Sequence, residues 1–175
     1  MRRAVFLDRD GVINRAEVRD GKPYPPVSLA AMEILPGVPE ALRALHAEGW
    51  LLIVVTNQPD VARGTAKRAD VEAINRHLQE ALSIDEFRTC YHDAGDGCDC
   101  RKPAPGALLA AAGAHGIDLQ RSFMVGDRWR DVEAGVRAGC KTVFIDYGYA
   151  EKQPQSFDFK VLSLREAAAI ILGEM

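Results

Sequence analysis

The feature that most constrains this chain is a series of short apolar runs in which hydrophobic residues do not alternate with polar ones. They are roughly Arg3 to Leu7, Trp50 to Val55, Ser122 to Val125 and Lys141 to Ile145, joined by a short strand at Phe87 to Tyr91 and a last weak one near Phe159 to Leu162. Runs this short and this continuous suit strands covered on both faces, as in a parallel sheet. Between them lie stretches of helical spacing. Val38, Ala41, Leu42 and Leu45 form the first, opened by Pro36-Gly37 and stopped by Gly49. Val71, Ile74, Leu78 and Leu82 line a second, from Lys67 to Leu82. Further helices are predicted from Pro105-Gly106 to His115, from Trp129 to Ala138 and from Leu164 to Leu172, the first two closed by Gly116 and Gly139. Strand and helix alternate throughout, which predicts an α/β fold: a doubly wound, mainly parallel sheet with helices on both faces, built as one domain over residues 1–175.

Such a sheet places its chemistry at the carboxyl ends of its strands, and the first strand ends in Asp8-Arg9-Asp10-Gly11. Asp8 is placed to attack phosphorus as a carboxylate nucleophile. Asp10 is placed to protonate a leaving oxygen and later to deprotonate water. A hard cation such as Mg²⁺ would offset the crowding of carboxylates against phosphate. A plain strand-end turn uses the same residue types, so four residues alone leave both readings open. The second strand runs into Thr56-Asn57-Gln58, read as a polar turn whose hydroxyl and backbone N–H groups suit a phosphate oxygen or merely close the turn. The fourth ends in Gly126-Asp127, an acid at a strand terminus that fits a hard metal ion, with Asp131 one helical turn beyond.

Three of the four cysteines and one of the four histidines fall between Cys90 and Cys100. Cys90, His92, Cys98 and Cys100 form a tetrahedral zinc set, and the Gly/Asp stretch between them has no apolar residue to hold it by packing. Four protein ligands make such a zinc structural rather than catalytic. Arg101-Lys102 follows at once, so the metal would fix two cations in space. Lys102 is then available to Asp8 and a phosphate, and Arg101 to a substrate oxygen; a solvated pair is the alternative, and it would win with different neighbours. Cys140 stands apart and reads as a core residue. Asn14 to Leu35 carries Pro23, Pro25 and Pro26 without a period; it reads as a flap over the site or as a surface loop.

The composition narrows the partners. A net charge of −3 supplies no general attraction to nucleic acid or to an anionic membrane. No apolar run has membrane-spanning length and no signal peptide is visible, so a cytoplasmic monomer acting on a small molecule is expected.

Phe6 to Asn14, Val55-Thr56-Asn57-Gln58, Cys100-Arg101-Lys102-Pro103 and Val125-Gly126-Asp127 together resemble, in order, the four motifs of the haloacid dehalogenase superfamily of phosphatases. The cysteine-histidine loop is similar to that of the zinc-containing subgroup, which includes heptose bisphosphate 7-phosphatases and histidinol phosphatases. Ala62-Arg63-Gly64 resembles the heptose branch. The resemblance implies a Rossmann-like fold without a large cap domain and hydrolysis of a phosphomonoester through an aspartyl-phosphate on Asp8, with Asp10 as general acid and base. It implies Thr56 and Lys102 on the phosphoryl group, and Mg²⁺ held by Asp8, Asp127 and the main-chain carbonyl of Asp10. Zinc would be held by Cys90, His92, Cys98 and Cys100, with Asn57, Arg63 and Arg101 facing a phosphorylated sugar. Histidinol phosphate is the alternative substrate, and a non-catalytic phosphosugar-binding module the alternative role. The chain departs from the heptose branch in Pro59-Asp60, where those enzymes usually carry Ser-Gly, in a shorter zinc loop and in the Lys22–Pro26 segment.

Overall fold

The apolar runs pair side by side, as their lack of alternation requires. The computed structural model describes residues 1–173; Glu174 and Met175, the end of the expected domain, lie outside the described residues. The strands are β1 (Ala4–Leu7), β2 (Glu17–Arg19), β3 (Lys22–Tyr24), β4 (Leu51–Asn57), β5 (Glu86–Cys90), β6 (Phe123–Gly126), β7 (Lys141–Ile145) and β8 (Phe159–Val161). The helices are α1 (Val38–Ala47), α2 (Arg68–Ala81), α3 (Gly106–His115), α4 (Trp129–Ala138) and α5 (Leu164–Gly173).

Six strands form one sheet in the order β5-β4-β1-β6-β7-β8, and every pairing in it is parallel. Successive side chains of a strand face opposite sides, so each run feeds two cores. Val5, Leu7, Leu52 and Val54 pack with α1, α2 and α5 on one face, while Ala4, Phe6, Ile53 and Val55 pack with α3 and α4 on the other. Cys140 is buried in the second core. The chain steps from β1 outward to β4 and β5, then returns to add β6 on the far side of β1. That reversal opens a crevice at the carboxyl ends of β1, β4 and β6, where doubly wound sheets bind ligands. No helix among the described residues is long and apolar enough to cross a membrane.

Two local expectations differ from the structure. The segment read as aperiodic contains an antiparallel hairpin, β2 with β3, whose register pairs Glu17 with Tyr24 and Arg19 with Lys22. Its turn is Asp20-Gly21 with φ of 50° and 72°, the two left-handed residues of a tight hairpin turn. The strands are three residues long and exposed, so burial leaves no hydrophobic alternation to read. Thr56 and Asn57, expected as a turn, instead continue β4, paired in register with Thr89 and Cys90.

Candidate active site

Asp8 follows β1 directly, and its backbone N–H donates to the carbonyl of Val125 at 3.0 Å, so the sheet ladder fixes its position. Lys102 reaches it from the loop between β5 and α3. The Lys102 ammonium, 1% exposed, has three protons and three acceptors: Asp8 Oδ1 at 2.9 Å, the Val55 carbonyl at 2.6 Å and Asp131 Oδ1 at 2.7 Å. Burial disfavours its charge, but Asp131 and Asp8 outweigh burial and hold it protonated. Asp127 completes the cluster, which lies under a cavity of about 370 Å³. Asp8, Asp10, Lys102 and Asp131 line that cavity, and the β2–β3 hairpin contributes Lys22, Pro23 and Tyr24.

Asp10 is held by donors on several sides. Arg9 donates from Nε at 3.2 Å and from Nη2 at 3.1 Å, Asn14 at 3.0 Å and Gln58 at 2.9 Å. Arg9 is fully buried, and its remaining nitrogen donates to Asn75 Oδ1 on α2 at 2.8 Å. Gln58 also donates to Thr56 Oγ1 at 3.0 Å, which ties the β4 hydroxyl to the same network. Asp10 therefore has its orientation set by fixed partners, as a proton-transferring group needs.

Asp8, Asp127 and Asp131 offer ligand oxygens within 4.8 Å of one another, all buried. Three carboxylates face one ammonium there, and the imbalance registers on the acids. Burial first, then Asp131, push the Asp8 carboxyl up to about 6 against the pull of Lys102. Burial, Asp8 and Asp131 push Asp127 well above the ordinary carboxylate range. Asp131 has both oxygens engaged, Oδ1 on Lys102 and Oδ2 on the Arg128 N–H at 3.0 Å. Asp127 accepts from the Tyr149 hydroxyl at 2.7 Å through Oδ2, whereas its buried Oδ1 has no donor. An acceptor left without a donor among excess carboxylates fits a hard divalent cation ligated by oxygen. Gly11 makes the arrangement sterically possible: its φ is +87°, and a Cβ there would collide with the Asp127 carboxylate.

A second set of candidate ligands, Cys90, His92, Cys98 and Cys100, also converges within 4.8 Å. His92 Nδ1 stands 3.5 Å from Cys90 Sγ and 3.3 Å from Cys100 Sγ, and Cys90 Sγ stands 3.8 Å from Cys98 Sγ. Three soft thiolates and one imidazole facing one point suit zinc better than magnesium.

Known proteins carry the same plan. A family model described as HAD-hydrolase-like matches residues 99–166. The chain is 40% identical over 152 residues to the D-glycero-alpha-D-manno-heptose-1,7-bisphosphate 7-phosphatase of Mycobacterium tuberculosis, covering 81% of this chain and 78% of that one. It is 37% identical over 150 residues to the beta-heptose 7-phosphatase of Rhodopseudomonas palustris, covering 79% of this chain and 80% of that one. The chain belongs to the heptose bisphosphate phosphatase family of haloacid dehalogenase-like hydrolases. Among solved structures, the D,D-heptose 1,7-bisphosphate phosphatase of B. bronchiseptica, complexed with magnesium and phosphate, superposes with a TM-score of 0.80 at 30% identity over 99% of both chains.

Within this haloacid dehalogenase-like frame the three residues expected to face substrate have protein partners. Asn57 lines the cavity, but its amide exchanges two 3.0 Å hydrogen bonds with the backbone of Lys102 and so holds that lysine's loop to β4. Arg63 lines the cavity while its guanidinium forks onto Asp93 at 2.9 and 2.7 Å, bracing the cysteine loop. Arg101 lines the cavity and donates to the His92 carbonyl at 3.4 Å.

Sequence reasoning left out of the site Arg9, Tyr149 and Arg130, and noted Asp131 beyond Asp127 without giving it a role. The spacing of Asp131, four residues after Asp127 at a helix start, is a readable signal. Tyr149 carries none: it lies in a loop after β7 that also sends Tyr147 to the Gly11 carbonyl at 2.7 Å, the Ala150 N–H to the Gly21 carbonyl at 2.8 Å and Glu151 to Arg128 at 2.8 Å. That loop fastens the hairpin tip and the carboxylate cluster together.

Proposed function

We propose that this chain is a Mg²⁺-dependent phosphomonoesterase that removes the 7-phosphate of D-glycero-D-manno-heptose 1,7-bisphosphate through an aspartyl-phosphate. The observation that carries the reading is the buried Lys102 bridging Asp8 and Asp131 beside an Asp127 oxygen that lacks a donor. A cavity that only bound a sugar phosphate would have no use for a buried carboxylate at its floor with a second acid two residues on. The family membership supplies the substrate class.

Chemically, Asp8 attacks the phosphorus while the Thr56 hydroxyl and Lys102, which exchanges one of its three protein acceptors for substrate, hold phosphoryl oxygens. Asp10 gives its proton to the departing sugar oxygen. It then takes a proton from the water that attacks the aspartyl-phosphate, which frees phosphate and regenerates Asp8. Bound Mg²⁺ would supply the positive charge that lets carboxylates and phosphate approach. Asp8, Asp127 and the Asp10 carbonyl would hold it. Zn²⁺ on Cys90, His92, Cys98 and Cys100 would be structural, holding Arg101 and Lys102 in place. Arg63 and Asn57 then act by bracing the walls as well as by facing the sugar. On this reading residues 1–175 act as one domain, as a cytoplasmic monomer.

The test is steady-state kinetics with both anomers of heptose 1,7-bisphosphate beside histidinol phosphate, with and without Mg²⁺. A Mg²⁺-dependent kcat/KM at least about tenfold higher for one heptose anomer supports the assignment. Preference for histidinol phosphate overturns the substrate, and absence of turnover on all three overturns the enzyme.

A further inference from the structure

Four carboxylates line the reaction cavity, and three of them belong to the phosphoryl cluster. Asp8 and Asp131 share the Lys102 ammonium, and Asp10 accepts from Arg9, Asn14 and Gln58. The fourth, Asp60, follows the end of β4 by three residues and stands outside that cluster. Its side chain meets one protein group, Arg63 Nη1, at 3.4 Å from Oδ1. That contact is long for a hydrogen bond, and the guanidinium is already forked onto Asp93 at 2.9 and 2.7 Å. The other oxygen of Asp60 accepts no hydrogen bond among the described residues, and the side chain is 31% exposed.

The backbone beneath this carboxylate is fixed. The Asp60 carbonyl accepts from the Thr65 N–H at 2.9 Å, the Ala66 N–H at 3.1 Å and the Thr65 hydroxyl at 3.3 Å. The Pro59 carbonyl accepts from the Arg63 N–H at 3.1 Å, and the proline ring locks its own φ. Placed on a wall that receives phosphate, a carboxylate is unfavourable by itself, because like charges repel. It becomes favourable where the ligand brings hydrogen-bond donors to it. An ionised carboxylate only accepts, through two oxygens, and the donors of a phosphorylated sugar are its hydroxyls. The rest of the lining suits such a ligand: Pro23, Tyr24, Pro25 and Pro59 offer apolar surface to C–H groups around a few polar anchors.

We infer that Asp60 binds hydroxyls of the sugar, and so makes the enzyme prefer polyhydroxylated phosphomonoesters to plain ones. The inference rests on the proposed sugar phosphatase activity and adds a residue that reads the part of the substrate carrying no phosphate. The Ser-Gly that the heptose branch usually carries at these two positions has no carboxylate, so the contact belongs to this chain's own Pro59-Asp60.

The experiment measures kcat and KM for heptose 1,7-bisphosphate and for p-nitrophenyl phosphate, which carries no sugar hydroxyl, in wild type, Asp60→Ala and Asp60→Asn. Circular dichroism melting checks that both variants fold. Loss of charge-assisted hydrogen bonds should cost Asp60→Ala about 10- to 100-fold in kcat/KM on the heptose substrate, carried mainly by KM. On p-nitrophenyl phosphate the same variant should equal wild type or exceed it by up to about fivefold, because a like charge has gone. Asp60→Asn keeps one acceptor oxygen and should recover part of the heptose loss. Parallel losses on both substrates would make Asp60 a brace for Arg63 and overturn the inference. Unchanged or improved kcat/KM on the heptose substrate in Asp60→Ala would overturn it as well, and would leave the phosphatase reading standing. A wild type that hydrolyses p-nitrophenyl phosphate but not the heptose substrate would overturn the sugar reading before any variant is compared, and the role of Asp60 with it.

Discussion

At the scale of single residues, the proposed mechanism divides labour between two aspartates two positions apart. On that mechanism Asp8→Asn removes the nucleophile while leaving an oxygen for Lys102, so turnover should fall at least about 10³-fold with the fold intact. Asp10→Asn should cost roughly 10²- to 10⁴-fold on sugar phosphates but much less on p-nitrophenyl phosphate, whose leaving group needs little protonation. Equal losses on the two would remove the acid role. Tyr149 acts one step further out. Burial and then Asp127 keep its phenol protonated, so it is a steady donor to Asp127 Oδ2 and leaves Oδ1 to a metal. Groups that orient a ligand from behind typically carry about 10- to 100-fold in metal affinity. Tyr149→Phe should therefore weaken Mg²⁺ binding about tenfold by isothermal titration calorimetry, with kcat largely recovered at saturating Mg²⁺. Unchanged Mg²⁺ affinity would make Tyr149 a packing residue.

At the scale of elements, the cavity walls are loops that need fastening of their own. The segment from Asp93 to Asp99 contains no buried side chain, and its local order comes from the Asp93 and Asp96 capping pair and the four convergent ligands. Cys98→Ser should lower zinc content well below one ion per chain, measured by atomic emission. Activity should fall roughly 10²-fold through a displaced Lys102, with Mg²⁺ dependence retained. A zinc-poor variant with wild-type kinetics would separate the loop from catalysis. The elements also differ in how legible they were. β1, β4, β6 and β7 announce themselves because parallel strands buried on both faces need apolar residues at every position. The β2–β3 hairpin has no such constraint; only Asp20-Gly21 marks it, and no hydrophobic pattern flanks that turn. Likewise Asp8, Asp10 and Asp127 stand at strand ends where their type is informative, whereas Arg9, Tyr149 and Arg130 matter through partners 22 to 66 residues away or through a cavity shared by distant segments. Spacing along the chain carries no trace of such contacts.

For the whole molecule, the buried acids couple stability to pH and metal. Asp8 titrates near 6 in the fold against an ordinary 3.8, so between those values the folded chain keeps a proton that the unfolded chain has released. Without metal its contribution opposes folding fully above pH 6 and fades as the pH falls toward 3.8; Asp127 shifts in the same direction. On the proposed function Mg²⁺ would compete with those protons at a site that only the folded chain assembles. Saturating Mg²⁺ should consequently raise the melting temperature more at about pH 7.5 than at about pH 5, as read by scanning calorimetry. A larger rise at the lower pH would contradict the burial of ionisable acids as the source of the coupling.

The separate fastening of the walls has a further consequence for how such a protein diverges. Asp8, Thr56 and Asp127 stand at neighbouring strand ends, whereas the hairpin is joined at its tip to the Ala150 backbone and the cysteine loop brings four candidate metal ligands to one point. The hairpin, whose strands are exposed, can lengthen, shorten or change sequence without disturbing the sheet core, while the cysteine loop can vary only between its four ligands. Lineages can thus exchange one sugar or one anomer for another by rebuilding the hairpin, a change neutral for folding and decisive for diet.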